Sequence, residues 1–176
     1  MQSDRNIVLI GMPFVGKSTV GVLLSKVTCR SFIDSDLVVQ AREGMTLQQI
    51  IDSRGLDEFM RIEEQAVLEI RACASVIATG GSVVYSDAAM RHLRDAGIVV
   101  HLDLPLGLLL KRVEQVESRG VVMTPGQDIA DLYASRQSIY RRWAQITVDC
   151  SGLDQSRVVS EILNSIPAVG QGQDGL

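Results

Sequence analysis

The chain has 176 residues, of which 46% are hydrophobic and 22% charged, a composition typical of one globular domain with its own core. Its formal net charge of −4 argues against general nucleic-acid binding, and no apolar run is long enough to cross a membrane. The three cysteines, Cys29, Cys73 and Cys150, lack metal-site or redox spacing, so we expect reduced core or near-core thiols in a cytoplasmic protein.

Short apolar runs alternate with stretches of helical periodicity along the chain. The apolar runs predict strands at 6–10, 31–34, 75–79, 98–103 and 146–149. The periodic stretches predict helices at about 17–28, 36–43, 46–53, 57–73, 86–96, 105–118, 127–142 and 154–165. This alternation predicts a three-layer α/β fold with about five parallel strands flanked by helices and ligands at the carboxyl ends of the strands. We expect a single domain over 1–166 and a disordered tail over 167–176.

The sequence GMPFVGKS at residues 11–18, with Thr19 next, fits the G-x-x-x-x-G-K-[ST] pattern of a phosphate-binding loop. Gly11 and Gly16 allow a tight turn, and the N–H groups of the loop then form an anion site at the start of the next helix. Lys17 can reach the β- and γ-phosphates of a nucleotide, and the Ser18 hydroxyl can bind Mg²⁺. The alternative is a glycine turn that happens to precede a lysine, but the strand before it and the helix after it favour nucleotide binding.

Polar and glycine residues follow the second and third predicted strands, at the edge where ligands bind. Asp34 and Asp36 point the same way from an extended segment, so one can hold Mg²⁺ through water while the other meets an acceptor hydroxyl. The alternative for Asp36 is capping of a helix that begins at Leu37. Gly80 and Gly81 permit close approach of a substrate, or form only a turn into the next helix.

Three arginines are candidates for the positive charge that phosphoryl transfer requires around the γ-phosphate: Arg112, Arg119 and Arg136. Arg119 stands just before Gly120, in a stretch of about 113–126 that we interpret as a lid able to exclude water. For any one of these arginines alone, a solvated surface role is the alternative.

These motifs, in this order, resemble those of the shikimate kinase family. Members of that family are P-loop small-molecule kinases with a nucleoside-monophosphate-kinase-like fold. The resemblance runs from about residue 6 to 165 with essentially no gaps. It rests on residues 11–19, Asp34-Ser35-Asp36, Phe59-x-x-x-Glu63, Ala78-Thr79-Gly80-Gly81, and Arg112, Arg119 and Arg136. It implies ATP- and Mg²⁺-dependent phosphorylation of a hydroxyl on a small metabolite by a cytoplasmic monomer. The first candidate is shikimate, converted to shikimate 3-phosphate in aromatic amino acid biosynthesis.

The resemblance also implies roles for individual residues on the ATP side. Lys17 would contact the transferred phosphate, Ser18 would ligate Mg²⁺, and Asp34 would hold that ion through water. Arg112 would stack on the adenine, and Arg119 would be the lid arginine. The full set of expected ATP contacts is Gly11, Val15, Gly16, Lys17, Ser18, Thr19, Arg112 and Arg119.

On the acceptor side, the resemblance implies that Asp36 bonds the acceptor hydroxyl and acts as its base. Gly80 and Gly81 would line the pocket, Arg136 would grip the substrate carboxylate, and residues 36–62 would form the substrate-binding region. The catalytic residues would be Lys17, Asp36 and Arg119.

The acceptor side also departs from the family pattern. Family members usually carry an arginine, a second clamp on the carboxylate, where this chain has Met60. Arg61 follows about 100° further round a helix, so either the clamp is lost or a one-residue slip brings Arg61 into its place. Loss is favoured because a slip would rotate Phe59 and Ile62 off their face. Ser82 replaces the third glycine of the usual Gly-Gly-Gly.

Two further functions remain as alternatives at this point. One is a kinase of the same fold that acts on another small hydroxylated metabolite, such as a sugar acid or a hydroxy amino acid. The other is a nucleotide or ligand sensor without turnover, which would have no need for a base and a lid arginine.

Overall fold

A five-stranded parallel sheet forms the centre of the protein in the computed structural model, which describes residues 4–114 and 128–166. Its strands are β1 (Asn6–Ile10), β2 (Ser31–Asp34), β3 (Ser75–Ala78), β4 (Gly97–Asp103) and β5 (Ile146–Asp149). They lie in the order β2-β3-β1-β4-β5, and every neighbouring pair is parallel. Because parallel strands place their carboxyl ends at one edge, the loops after β1, β2 and β3 open on the same side of the sheet.

Eight helices of the described residues flank this sheet. They are α1 (Lys17–Thr28), α2 (Ser35–Glu43), α3 (Leu47–Arg54), α4 (Leu56–Leu68), α5 (Asp87–Ala96), α6 (Leu106–Glu114), α7 (Ile129–Trp143) and α8 (Gln155–Ser165). A 3₁₀ turn, Val83–Tyr85, lies between β3 and α5. The predicted α/β fold with parallel strands is confirmed.

The central strand β1 is buried along its whole length. It pairs with β3 through Ile7 and Val76, and with β4 through Leu9 and Val100. A parallel strand that is covered on every side presents apolar residues to both faces of the sheet, which is why a continuous apolar run marks it in the sequence.

The predicted helix over 57–73 is shorter in the structure, because α4 ends at Leu68. The segment that follows α4 is bonded by the side chain of Asn6. Its Nδ2 donates to the Ala72 carbonyl at 2.7 Å, and its Oδ1 accepts from the Ser75 N–H at 3.0 Å. These bonds tie the segment before β3 to the start of β1, and helical periodicity gives no sign of such a tertiary constraint.

A second, smaller core lies among α2, α3 and α4, in the predicted substrate-binding region. Its buried members are Val39, Ile50, Phe59, Ile62 and Ala66. Because Phe59 and Ile62 face this core, α4 keeps the register that was expected without a slip. Met60 is therefore partly buried in the place of the family arginine, and Arg61 is exposed.

Several other expectations concern the surface and the chain ends. Cys150 is buried as expected, but Cys29 and Cys73 are exposed, because Cys29 caps the end of α1 and Cys73 lies in the turn before β3. Within the described ranges, no helix is both long enough and apolar enough to cross a bilayer. Arg119, most of the predicted lid and the whole predicted tail lie outside the described residues.

Candidate active site

The phosphate-binding loop connects β1 to α1 at the carboxyl edge of the sheet. Gly11 has φ 145°, and a Cβ there would lie 2.6 Å from the Leu102 carbonyl oxygen. Gly16 has φ 103°, a conformation that other residues rarely adopt. Both glycines are therefore required by the shape of the loop, which ends where the N–H groups of the first turn of α1 begin.

Lys17, the first residue of α1, lies across this loop. Its Nζ donates to the carbonyl oxygens of Gly11 at 2.8 Å and Met12 at 2.9 Å. Burial lowers the pKa of Lys17 to about 8, although the nearby carboxylate of Asp36 acts in the opposite direction. The ammonium group is thus held at the centre of the loop, where it can meet a phosphate.

Of the remaining predicted ATP contacts, Val15, Ser18, Thr19 and Arg112 lie in or beside the loop, and Arg119 lies outside the described residues. Ser18 and Thr19 are exposed on the first turn of α1, and Val15 is buried beneath the loop. Arg112 on α6 donates from Nη1 to the Val15 carbonyl at 2.8 Å and to the Phe14 carbonyl at 3.4 Å. The structure therefore brings Arg112 to the side of the loop.

Asp34 and Asp36 lie at the carboxyl end of β2, next to the loop. The cap of α2 is Asp34, whose Oδ1 accepts from the Asp36 N–H at 3.0 Å, so the alternative that Asp36 caps this helix is wrong. The helix begins at Ser35, one residue earlier than predicted, and the carboxylate one position before its start can reach the free N–H groups. Asp36 is left free for chemistry.

The environment of Asp36 suits proton transfer. Burial raises the pKa of Asp36 to about 6, the neighbouring Asp34 raises it further, and Lys17 lowers it. A carboxyl group with a pKa close to the working pH is an efficient general base.

The oxygens of Ser18 and Asp34 are the hard donors that Mg²⁺ prefers. Oδ1 of Asp34 caps α2, and Oδ2 takes no part in that cap. The donor set therefore fits a magnesium ion that keeps most of its other ligands as water and phosphate oxygens.

Gly80 and Gly81 follow β3; Gly80 lies against the carboxyl groups of Asp36 and Glu63, and Gly81 lies against Arg136. The Gly80 N–H donates to the Ser35 hydroxyl at 2.9 Å. A Cβ on Gly80 would collide with Oε1 of Glu63 and would lie 2.7 Å from Oδ1 of Asp36. Glycine is needed here because two carboxyl groups occupy the space beside the backbone.

Arg136 on α7 approaches the same loop from the other side. It is only 2% exposed, its Nε donates to the Tyr85 hydroxyl at 3.2 Å, and its guanidinium lies 5.2 Å from the centre of the Tyr85 ring. Its Nη1 has no hydrogen-bond partner among the described residues. If residue 81 carried a Cβ, that atom would lie 2.8 Å from Nη1. Tyr140, one turn further along α7, donates to the Gly81 carbonyl at 3.0 Å and fixes this approach.

Glu63 is a further site residue whose role the sequence did not predict. It is 2% exposed, and its Oε2 accepts from the Ser82 hydroxyl at 2.7 Å. Burial raises its pKa to about 8, so this carboxyl group holds its proton near neutral pH. The one available signal was its place in the Phe59-x-x-x-Glu63 motif, since the residues that bury it are distant in the chain.

A cavity of about 310 Å³ opens beside Glu63 and is lined in part by Met60, Arg61 and Tyr85. The side chain of Arg61 is 78% exposed, and its Nη1 lies 3.3 Å from Oε2 of Glu58. Arg61 is thus engaged on the outer surface of α4, and an apolar methionine occupies the inner position.

Comparisons with known proteins agree with this geometry. A sequence model described as shikimate kinase matches residues 13–167. The shikimate kinase of Thiobacillus denitrificans is 36% identical over 152 residues, which cover 85% of this chain and 83% of that protein. The structure of shikimate kinase from Acinetobacter baumannii in complex with shikimate gives a TM-score of 0.83 at 31% identity, with 91% of each chain covered.

A longer relative is also similar. Human Threonine synthase-like 1 is 34% identical over 166 residues, which cover 93% of this chain. The chain spans only 22% of the length of that protein.

Proposed function

The chain belongs to the shikimate kinase family of ATP-dependent kinases, and we propose that it transfers the γ-phosphoryl group of ATP to a hydroxyl of a small carboxylate, with shikimate as the first acceptor. The observation that carries this proposal is the convergence of three groups at one edge of the sheet. They are the phosphate-binding loop, the carboxyl group of Asp36 and the buried guanidinium of Arg136.

On the donor side, the loop N–H groups and Lys17 bind the β- and γ-phosphates, and Arg112 lies toward the adenine. Mg²⁺ held by Ser18 and, through water, by Asp34 neutralises phosphate charge when it is bound. Arg119 is proposed as the lid arginine.

On the acceptor side, Asp36 accepts a hydrogen bond from the reacting hydroxyl and takes its proton. Arg136 binds the carboxylate of the acceptor through Nη1, beside the backbone of Gly80 and Gly81. Lys17 stabilises the charge on the transferred group, and this charge stabilisation is the main source of catalysis in phosphoryl transfer. The proposal includes a cytoplasmic, monomeric enzyme of aromatic amino acid biosynthesis.

A second acceptor class is favoured by one observation, Met60 in the place of the second carboxylate clamp. The alternative is a kinase of another small hydroxylated metabolite, such as a sugar acid or a hydroxy amino acid, that is bound without that second arginine. The departure of this chain from the family pattern therefore lies in its acceptor pocket.

The experiment is a transfer assay with the purified chain, Mg-ATP and millimolar shikimate, in which the phosphorylated product is identified by mass spectrometry. We expect shikimate 3-phosphate from the wild-type protein. Turnover should fall by about a hundredfold or more in Lys17→Ala, because one preorganised charged contact to the transition state is lost. Tight binding of ATP without transfer to any acceptor would support the sensor alternative and overturn the proposal.

A further inference from the structure

Two buried, ionisable side chains face the acceptor position with an unpaired atom each. Among the described residues, Oε1 of Glu63 and Nη1 of Arg136 have no hydrogen-bond partner. Oε1 lies against Gly80 beside the carboxyl group of Asp36, and Nη1 lies against Gly81. A buried polar atom without a partner is costly, so both atoms point to groups that a ligand supplies.

The neighbouring cavity is lined by more acidic than basic side chains. Its lining includes the carboxyl groups of Asp57, Glu63 and Glu64. The guanidinium of Arg61 also lines it but is paired with Glu58, and Met60 contributes no charge. A ligand beside Gly80 and Gly81 would meet Arg136 on one side and this cavity on the other, so a ligand with a cationic group as well as a carboxylate would complement both.

We infer that the acceptor pocket takes a small hydroxy amino acid, with its ammonium group donating to Oε1 of Glu63 and its carboxylate accepting from Nη1 of Arg136. Its hydroxyl faces Asp36. This inference rests on the proposed kinase function and names an acceptor class for that same site.

The reaction on such an acceptor balances as an ordinary phosphoryl transfer. A bond forms between the acceptor hydroxyl oxygen and the γ-phosphorus of ATP, and the bond from that phosphorus to the β,γ-bridging oxygen breaks. ADP leaves with the bonding electrons, and the hydroxyl proton passes to Asp36.

The electrostatics of Glu63 support this assignment. Burial is the main cause of its raised pKa, Asp36 raises it further, and the Ser82 hydroxyl, Arg136 and Lys17 lower it. An ammonium group beside Oε1 stabilises the ionised form, so binding of an amino acid releases a proton from Glu63. Affinity for amino acid acceptors should therefore rise with pH up to about 8, the pKa of the free carboxyl group.

The test compares matched acceptors that differ only in the amino group. We would measure kcat/KM with Mg-ATP for L-serine against 3-hydroxypropionate, for L-homoserine against 4-hydroxybutyrate, and for shikimate. In the wild-type protein, we expect the better amino acid to exceed its partner by about tenfold to a hundredfold, the effect of one hydrogen bond between charged groups.

Two variants then assign the preference to one side chain. Glu63→Gln keeps the size of the side chain but removes its charge, and should bring the ratio of kcat/KM within each pair close to one. Glu69→Gln is the matched control, since Glu69 lies at the end of the same helix, pairs with Arg42 on the surface and is not among the residues that line the cavity. It should leave the ratio near the wild-type value.

The outcomes separate this inference from the proposed function. Transfer to shikimate without transfer to any amino acid overturns the inference alone, and so does equal use of both members of each pair. A preference that survives in Glu63→Gln removes the role of Glu63. Absence of transfer to every acceptor overturns the proposed function as well. If Glu63→Gln fails to fold, the kcat/KM ratios of the matched acceptors in the wild-type protein still decide whether the pocket prefers an acceptor with an ammonium group.

Discussion

Replacement of Met60 by arginine should give the acceptor pocket its second carboxylate clamp. Met60 is partly buried on the inner side of α4 and lines the cavity beside Glu63 and Ser82. An arginine there would act from α4 on a carboxylate that Arg136 binds from α7. The neighbouring Arg61 is 78% exposed and pairs with Glu58, so it does not take the inner position of Met60.

The size of the effect follows from the environment of residue 60. A hydrogen-bonded pair of charges in a partly buried site is worth about 1.5–3 kcal/mol, or roughly tenfold to a hundredfold in affinity. The new guanidinium can also pair with the free Oε1 of Glu63, and that competition reduces the gain for shikimate. We therefore expect the KM for shikimate to fall by about tenfold, the lower end of the range. The kcat should change little, because the carboxylate is bound equally in the ground and transition states.

The assay is steady-state release of ADP with shikimate varied at saturating Mg-ATP. Met60→Leu is the control, since it keeps an apolar side chain of similar volume and adds no charge. Thermal unfolding of both variants checks that the second core around Phe59 and Ile62 is intact. An unchanged KM in Met60→Arg, or the same fall in Met60→Leu, would refute the reasoning. The arginine should also reverse any preference for amino acid acceptors, because it repels an ammonium group.

Four further measurements test the site. The kcat/KM for shikimate should rise as pH increases through about 6, because Asp36 must lose its proton to act as base, and a flat acidic limb would contradict this role. The kcat/KM for ATP should fall above about 8, as Lys17 loses its charge, and an unchanged value at pH 9 would count against that assignment. Gly80→Ala should raise the KM for the acceptor but not for ATP, since the new Cβ would meet the carboxyl groups beside it; equal effects on both substrates would contradict this. Arg61→Ala should change the KM for shikimate by less than about twofold, because an exposed ion pair contributes little. A tenfold rise would instead support a one-residue slip of α4 that brings Arg61 into the carboxylate clamp.

The donor side of the site could be predicted because its geometry is local. Gly11 and Gly16 adopt φ values that few other residues tolerate, and Lys17 stands at a fixed offset from them. These constraints act within eight residues, so the spacing of the glycines and the lysine can be recognised in the sequence. The buried strand before the loop is equally local, as a continuous apolar run.

The features that were missed depend on contacts between distant parts of the chain. Glu63 is buried because Ser82 and Gly80 come from the loop after β3, and no spacing within α4 reveals that contact. The segment after α4 is bonded by Asn6 of the neighbouring strand β1, a contact that helical periodicity does not reveal. The helix cap at Asp34 was missed for a smaller reason: two aspartates at i, i+2 can both cap, and the exact end of β2 decides between them.

The two halves of the site differ in how freely they can change. The donor half depends on the backbone shape of the loop around Lys17, and a Cβ at Gly11 would lie 2.6 Å from the carbonyl oxygen of Leu102 in the neighbouring strand. On α4, the residues that pack the second core and those that line the cavity lie on different faces of the helix. Phe59 is buried in the second core, while the next residue, Met60, lines the cavity. Exchange at residue 60 therefore alters the charge of the pocket with little effect on the core. Methionine at residue 60 thus adds no charge to the pocket and lies near a Glu63 whose Oε1 has no partner among the described residues, while the phosphate loop keeps its shape.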